Sequence, residues 1–289
     1  MSAVQASSAS SASPHAKANA FALGAIALWA SLASLGVALA HVPPFLLTGL
    51  ALLIGSAPAW PRWREWRIPL STLALGVYGL FGFHFLLFIA LRHAPAVEAN
   101  LVNYLWPLLI VVLAPLFLKG VKLRSVHLLA AIAGFAGAAL AIVGGRELQG
   151  GLAWGYLPAL GSAFIWASYS LLTKRVAHFP TSAIGLFGLV SGLLALACHA
   201  LLEPATALSV KDWGLLALMG LGPLGAAFFL WDKALKAGDP RTIGILSYLT
   251  PLASTVLLVL VTGREFTTWI MLAAALIIGA AVVGMRARA

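Results

Sequence analysis

Asn100, Asn103, Tyr104 and Pro107 stand at i, i+3, i+4 and i+7 of an otherwise apolar run, which is one face of an α-helix. Gly244, Ser247, Tyr248 and Pro251 repeat that pattern later in the chain. Proline has no N–H. Pro107 therefore deprives the carbonyl of Asn103 of its helical donor, and Pro251 does the same to the carbonyl of Ser247. A freed carbonyl can receive an ammonium group or a water, and each proline is a candidate hinge. In an apolar medium the polar side chains of such a stripe must turn inward, to bond a neighbouring helix or to line a cavity. Both readings stay open for Asn100. For Asn103 and Tyr104 the cavity is the expected place.

His84 and Trp106 have no chemical counterparts in the second occurrence of the pattern, where Ala227 or Phe228 and Thr250 stand. A ligand is not symmetric, so such departures are candidates for recognition. Tyr78, Trp166 and Tyr169 also come from deep in apolar runs. Aromatic walls suit a mostly apolar ligand with few polar anchors. With Ser247 and Tyr248 these residues form the candidate binding set. Glu98 is the one acid placed to enter the fourth apolar run. It is a candidate proton site, as is His84, but pairing with Arg92 or capping the helix is the favoured role. Asp232, Lys233, Lys236 and Asp239 are spaced for local ion pairs. Gly79-x-x-Gly82 and Gly188-x-x-x-Gly192 let helices approach closely. No cluster has metal-ligand spacing, so neither metal nor cofactor is expected, and the single Cys198 excludes an intrachain disulfide.

These residues need elements to hold them. Of 289 residues, 62% are hydrophobic and 9% charged, with a mean hydropathy of +1.00. A soluble domain carries roughly 25% charged residues. A soluble enzyme, a disordered chain and a nucleic-acid-binding domain are excluded as wholes. A helix needs about 20 apolar residues to cross a bilayer. Ten such runs are read, at 20–39, 44–60, 68–91, 96–118, 126–144, 151–173, 182–202, 213–231, 240–262 and 267–285. Residues 1–17, rich in Ser and Ala, read as a disordered tail.

With the N-terminus placed in the cytoplasm, fourteen of the 18 basic residues fall on that side. They include Arg62, Arg64 and Arg67, Lys119, Lys122 and Arg124, Lys174 and Arg175, and Arg286 and Arg288. Arg92, Arg146, Lys211 and Arg264 remain outside. This is a positive-inside pattern with both termini cytoplasmic. Trp60, Trp63, Trp66, Trp154, Trp213, Trp231 and Trp269 fall near span ends, where aromatic belts sit; Trp29, Trp106 and Trp166 lie deep.

The chain also repeats itself. Tyr104-Leu105-x-Pro107-Leu108 recurs as Tyr248-Leu249-x-Pro251-Leu252, Gly79 and Gly82 recur as Gly222 and Gly225, and Trp29-Ala30-Ser31 recurs as Trp166-Ala167-Ser168. Residues 18–145 and 146–289 are thus read as two five-helix repeats. Five is odd, so the second copy must be inserted upside down, a recurring transporter design. The expected fold is an all-α integral membrane protein of ten transmembrane helices in two inverted five-helix repeats.

Ten spans, two halves and the stretch Ala99–Leu108, with Asn103-Tyr104-Leu105-Trp106-Pro107 as its most specific piece, resemble the EamA-type branch of the drug/metabolite transporter superfamily. Within it the stretch is most similar to bacterial aromatic amino-acid exporters. The resemblance implies export of amino acids, aromatic and other bulky apolar ones, across the bacterial inner membrane by alternating access. The implied partners are a small-molecule amino-acid substrate and the lipid bilayer, with no nucleic acid and a monomeric unit. A drug or metabolite carrier of the same superfamily is the alternative. An integral membrane enzyme is the alternative of another class, although no H-E-x-x-H, Walker A or G-x-S-x-G motif is present.

Overall fold

A computed structural model describes residues 14–145, 147–148, 151–262 and 267–287. Most of the expected tail (residues 1–13), Arg146, Arg264 and Arg288 lie outside the described residues. Among those described, every regular element is helical. Nine stretches of the described residues are long and apolar enough to cross a membrane.

The first stretch contains α1 (Pro14–Ala30) and α2 (Leu32–Ala38), which meet at Ser31. It begins at His15, earlier than the sequence reading, so the last residues of the expected tail are helical. The second is α3 (Pro44–Ser56) continued by a 3-10 segment, Ala57–Trp66. The third joins α4 (Leu70–Val77) to α5 (Phe83–His93) through a π turn, Tyr78–Gly82. The fourth is α6 (Ala96–Asn103) and α7 (Trp106–Phe117), broken at Tyr104–Leu105, and the fifth is α8 (Ser125–Val143). Then come α9 (Tyr156–Leu172) and α10 (Ala183–Leu202). Next, α11 (Val210–Leu221) runs through a second π turn, Gly222–Ala226, into α12 (Ala227–Ala237). Finally α13 (Pro240–Leu246) and α14 (Leu249–Thr262) are broken at Ser247–Tyr248, and α15 (Thr268–Arg286) closes the chain.

The read run 151–173 becomes α9, whose 17 residues make it shorter than the nine stretches. At 1.5 Å per residue it is about 26 Å long. The read run 213–231 lengthens to Val210–Ala237 because a capping box opens it. The Ser209 hydroxyl accepts from the Asp212 N–H at 3.2 Å, and the Asp212 carboxylate accepts from the Ser209 N–H at 2.8 Å.

Packing relates the halves pairwise. Helices α1 and α12 pack together as α9 and α5 do; α7 packs on α9 as α14 packs on α1; α3 lies on α10 and α8 on α15. The π turns occupy corresponding places in the two halves, as do the two broken segments. Close approach depends on glycine. A Cβ on Gly192 would stand 2.9 Å from the Gly49 carbonyl oxygen, and one on Gly55 would stand 2.6 Å from that of Gly220 and 2.8 Å from the Gly225 Cα.

Acids tie the ends together. At one end the Glu203 carboxylate accepts from the Phe45 N–H (3.0 Å), the Leu46 N–H (3.2 Å) and Arg92 (2.8 Å), and His199 Nδ1 lies 3.0 Å away. A carboxylate there complements the helix N-terminus. Arg92 is therefore paired with Glu203, whereas pairing with Glu98 is one of the roles that the sequence leaves open for that acid. At the other end Glu65 accepts from the Ser182 hydroxyl, and Lys236 donates to Asp232 at 2.6 Å and to the Phe179 carbonyl at 2.8 Å. Asp239 is held by Arg241 at 2.6 Å, and Lys233 lies 5.5 Å from the Phe21 ring, so the expected cluster of four charges is one ion pair with two residues turned elsewhere. Burial pushes the Asp239 carboxyl up, but Arg241's side chain and N–H and its charge hold it below the usual range.

Gly55→Ala should lower the melting temperature in detergent, because its methyl meets backbone that cannot rotate away; overpacking costs about 1–3 kcal/mol. Gly36→Ala, with nothing within 4 Å of the added Cβ, should not lower it. Equal melting of both variants would contradict the backbone crossing.

Candidate functional site

The centre of the bundle is aromatic. Trp166 of α9 has six rings around it: Trp29 at 5.9 Å, Phe83 at 5.5 Å, Trp106 at 6.4 Å, Tyr169 at 5.3 Å, Phe228 at 5.6 Å and Trp231 at 6.2 Å. They come from α1, α5, α7, α9 and α12, so elements from both halves build one cluster. Trp29, Trp106, Trp166, Tyr169 and Trp231 are all buried. Edge-to-face and tilted pairs of this kind contribute about 0.5–1.5 kcal/mol each beyond area burial.

The helix irregularities serve this centre. A π turn displaces backbone carbonyls from the regular helical ladder. In the first, the Leu80 carbonyl lies 2.6 Å from His84 Nδ1. In the second, the Pro223 carbonyl accepts from Trp29 Nε1 at 3.0 Å. Leu80 and Pro223 occupy equivalent positions of the two halves, by the alignment that equates Gly79 with Gly222. With Nδ1–H donating to Leu80, His84 Nε2 is left as an acceptor. The His84 ring stands 5.0 Å from Phe83, 6.0 Å from Phe88 and 6.5 Å from Phe228, at the margin of the cluster.

Polar groups lie around the rings. The Tyr78 hydroxyl is 2.8 Å from Ser168 Oγ, joining the first π turn to α9. Buried Asn103 accepts from the Ser162 hydroxyl at 2.8 Å through Oδ1. That bond joins α6 to α9 and spends the Asn103 carbonyl on a neighbouring helix. Tyr104 and Asn100 are part-buried on the broken fourth segment, where the Tyr104 N–H donates to the Asn100 carbonyl at 2.9 Å. Trp231 Nε1 donates to Ser170 Oγ at 3.2 Å.

The second stripe goes elsewhere. Tyr248 is fully buried, seated over Gly134 of α8 and 6.5 Å from Phe135, away from the Trp166 cluster. The Ser247 hydroxyl bonds the Ile243 carbonyl of its own helix at 2.8 Å. The Ser247 carbonyl accepts from the Thr250 N–H at 3.0 Å, so the donor lost to Pro251 is replaced by a tighter turn and the expected free carbonyl is not found there. Pro107 and Pro251 both lie in the first turn after a break. The Pro107 carbonyl oxygen sits 3.1 Å from where a Gly244 Cβ would be, so the two broken segments cross at this point.

Beneath the cluster a hollow of about 940 Å³ opens between the ends of α7, α9 and α12 and the start of α13. Lys119, Lys122, Arg124, Lys174, Arg175 and Arg241 line it, with Asp239 as the one acid among the described lining residues. Burial lowers the Lys174 pKa from its ordinary value, and Asp239 opposes that shift.

Comparison with known proteins agrees with an architecture in two similar halves. The EamA-like transporter family matches residues 16–143 and again 153–285. The chain belongs to this family. The aromatic amino acid exporter YddG of Ancylobacter novellus is 40% identical over 270 residues, covering 90% of this chain and 93% of that protein. YddG of Salmonella typhimurium is 30% identical over 63% of this chain and 64% of its own. One solved crystal structure superposes with a TM-score of 0.87 at 39% identity, over 93% of this chain and 96% of that one.

In this EamA-like transporter the structure brings Trp106, Trp166 and Tyr169 together, with His84 at the edge, Tyr78 and Asn103 bonded to α9, and Ser247 and Tyr248 apart from them. Sequence reasoning missed Trp231, Phe228 and Phe83. Trp231 was read as a belt residue because its span was ended there; α12 runs on to Ala237, which places Trp231 six residues inside. Trp29, deep in the first span and outside the candidate binding set, also joins the cluster. Glu98 is buried in the first turn of α6.

The Asn103–Ser162 bond makes a double-mutant test. A buried hydrogen bond of this kind contributes about 1 kcal/mol net. Ser162→Ala should destabilise the protein, and Asn103→Ala should cost less in the Ser162→Ala background than in the native chain, read by thermal unfolding in detergent. Strict additivity would show that the two side chains do not interact.

Proposed function

We propose that this chain exports aromatic and other bulky apolar amino acids across the bacterial inner membrane by alternating access, as a monomer. The observation that carries the reading is the cluster centred on Trp166, built by helices of both halves and bordered by His84, Tyr78 and Asn103. Its rings match an aromatic side chain, and the few polar groups beside them match a small polar head. The names of the YddG relatives support the same reading.

Alternating access requires two related shapes. We read α9 as a tenth span, which gives five spans per repeat and therefore an inverted second copy. The pairwise exchange of packing partners, the paired π turns and the paired proline breaks support it. The unequal distribution of Lys and Arg supports cytoplasmic termini, so the basic hollow opens to the cytoplasm. Pro107 and Pro251, beside the crossing of the two broken segments, act as hinges. Trp106, Trp166, Tyr169, Tyr78 and His84 form the recognition side, joined by Asn100, Asn103 and Tyr104 at the break. Ser247 and Tyr248 serve movement of the second broken segment against α8. Glu98 and His84 are the groups able to carry a proton if transport is coupled to one.

Trp106→Ala should change the preference between large aromatic and smaller apolar amino acids, measured by competition in proteoliposomes. An equal loss of flux for every substrate would remove Trp106 from recognition, and transport of drugs without amino acids would favour the drug-carrier alternative. Topology is tested separately. In a Cys198→Ser background, cysteines at Arg64, Lys122 and Lys174 should react with a membrane-impermeant reagent only in inverted vesicles, and one at Arg92 only in intact spheroplasts. Labelling of both sets from one side would refute the inverted arrangement.

A further inference from the structure

The hollow under the aromatic cluster has a charge that a zwitterion does not call for. Of its six cationic lining residues, Arg241 is neutralised by Asp239, and Lys174 donates to the Gly238 carbonyl at 2.8 Å. Among the described lining residues Asp239 is the one carboxylate, and Lys119, Lys122 and Arg175 add three further positive charges. A concave site lined by one sign of charge concentrates the opposite ion. The helices that end there are those that hold the rings: Trp106 on α7, Trp166 on α9 and Trp231 on α12. Trp231 stands six residues from Ala237, about 9 Å along the helix at 1.5 Å per residue.

The cluster itself holds no fixed negative charge that would favour a substrate with an ammonium group over one without. Among the described residues every acid is placed elsewhere. Glu65 is on Ser182, Glu203 on Arg92, Asp212 in a helix cap, Asp232 on Lys236 and Asp239 on Arg241. Glu98 is in the first turn of α6, and Glu147 lies beyond α8. Donors, by contrast, are available. Trp29 and Trp231 spend their indole N–H groups on Pro223 and Ser170. Trp106 and Trp166 are 6% and 4% exposed, and among the described residues no protein acceptor is found for their indole N–H groups, unlike those of Trp29 and Trp231. An indole N–H can only donate, so it suits a carboxylate oxygen.

We propose that this transporter also carries aromatic carboxylates that lack an ammonium group, such as aryl 2-oxo acids, gathered by the basic hollow and held by the rings and indole donors of Trp106 and Trp166. The inference rests on the reading above, that the cluster is the substrate site and the hollow its cytoplasmic mouth. Such a substrate carries net charge −1, so an inside-negative membrane potential drives it outward, whereas a zwitterion feels no such force.

The test uses the full chain in liposomes of zwitterionic lipid, so that no anionic headgroup competes for the hollow. Efflux of radiolabelled phenylpyruvate and of phenylalanine is followed with and without a valinomycin-imposed potassium potential. Both compounds should move, and only phenylpyruvate efflux should rise several-fold when the lumen is made negative. The K119Q/K122Q/R175Q variant, checked for folding by its melting temperature, should raise the phenylpyruvate KM several-fold at low ionic strength, with kcat retained and a smaller change for phenylalanine. High salt should abolish that difference, because it screens the field. Trp106→Phe, which keeps a ring and loses the N–H, should weaken phenylpyruvate several-fold, and unchanged affinity would remove the indole donor from the site. Transport of phenylalanine without phenylpyruvate overturns this inference and leaves the export reading intact; transport of neither overturns the export reading itself. Phenylpyruvate flux indifferent to the three replacements at every salt concentration overturns the role of the hollow.

Discussion

A bilayer core offers no hydrogen-bond partner, so every backbone group released by an irregular helix must be met from within the chain. Most of what is particular to this protein follows from how it meets that demand. Two spans contain π turns and two others break beside a proline. The displaced Leu80 carbonyl takes His84 Nδ1, and the displaced Pro223 carbonyl takes Trp29 Nε1. These bonds fix a tryptophan in the cluster and a histidine at its edge; the ring of Trp166 packs against Trp29 and Phe228, and His84 faces Phe228. Satisfying the backbone and building the aromatic site are one arrangement.

The halves are alike in backbone and unlike in chemistry. Equivalent carbonyls meet different donors, His84 in one half and Trp29 in the other. The first broken segment sends Trp106 into the cluster and Asn103 to Ser162; the second sends Tyr248 onto α8 and keeps Ser247 on its own helix. The same helices repeat their packing partners in both halves, while the side chains that they bring to the centre differ. The ends repeat the theme. Glu203 caps the start of α3 while Glu65 bonds Ser182 at the start of α10, so an acid ending one helix holds the beginning of its partner at each face.

Several local readings changed for a common reason. Periodicity reports which residues share a face, but not how far a helix extends or what faces it. Trp231 looked peripheral because the apolar run thins into Asp232 and Lys233, yet those charges find Lys236 and the Phe21 ring and the helix continues. Arg92 and Glu98 are close in sequence, but Glu203, more than a hundred residues away, takes the guanidinium. Pro251 removes a donor as expected, and the chain replaces it by tightening into the Thr250–Ser247 bond.

What the sequence determined by itself was the medium, the helical class, the duplication and the residue types at the centre. Apolar composition and run length leave few alternatives once backbone groups must bond internally, and a repeated Tyr-Leu-x-Pro-Leu marks equivalent segments wherever they lie. Trp106, Trp166, Tyr169 and His84 were legible because each is costly or unusual in the middle of an apolar helix. Only the tertiary structure decided which of these residues meet. That depends on the rotation of each helix about its axis and on the register of its neighbours, both set by close contacts at glycines such as Gly55 and Gly192 and by side chains seated on displaced carbonyls. Those contacts join residues far apart in the chain, and a single-helix pattern carries no trace of them.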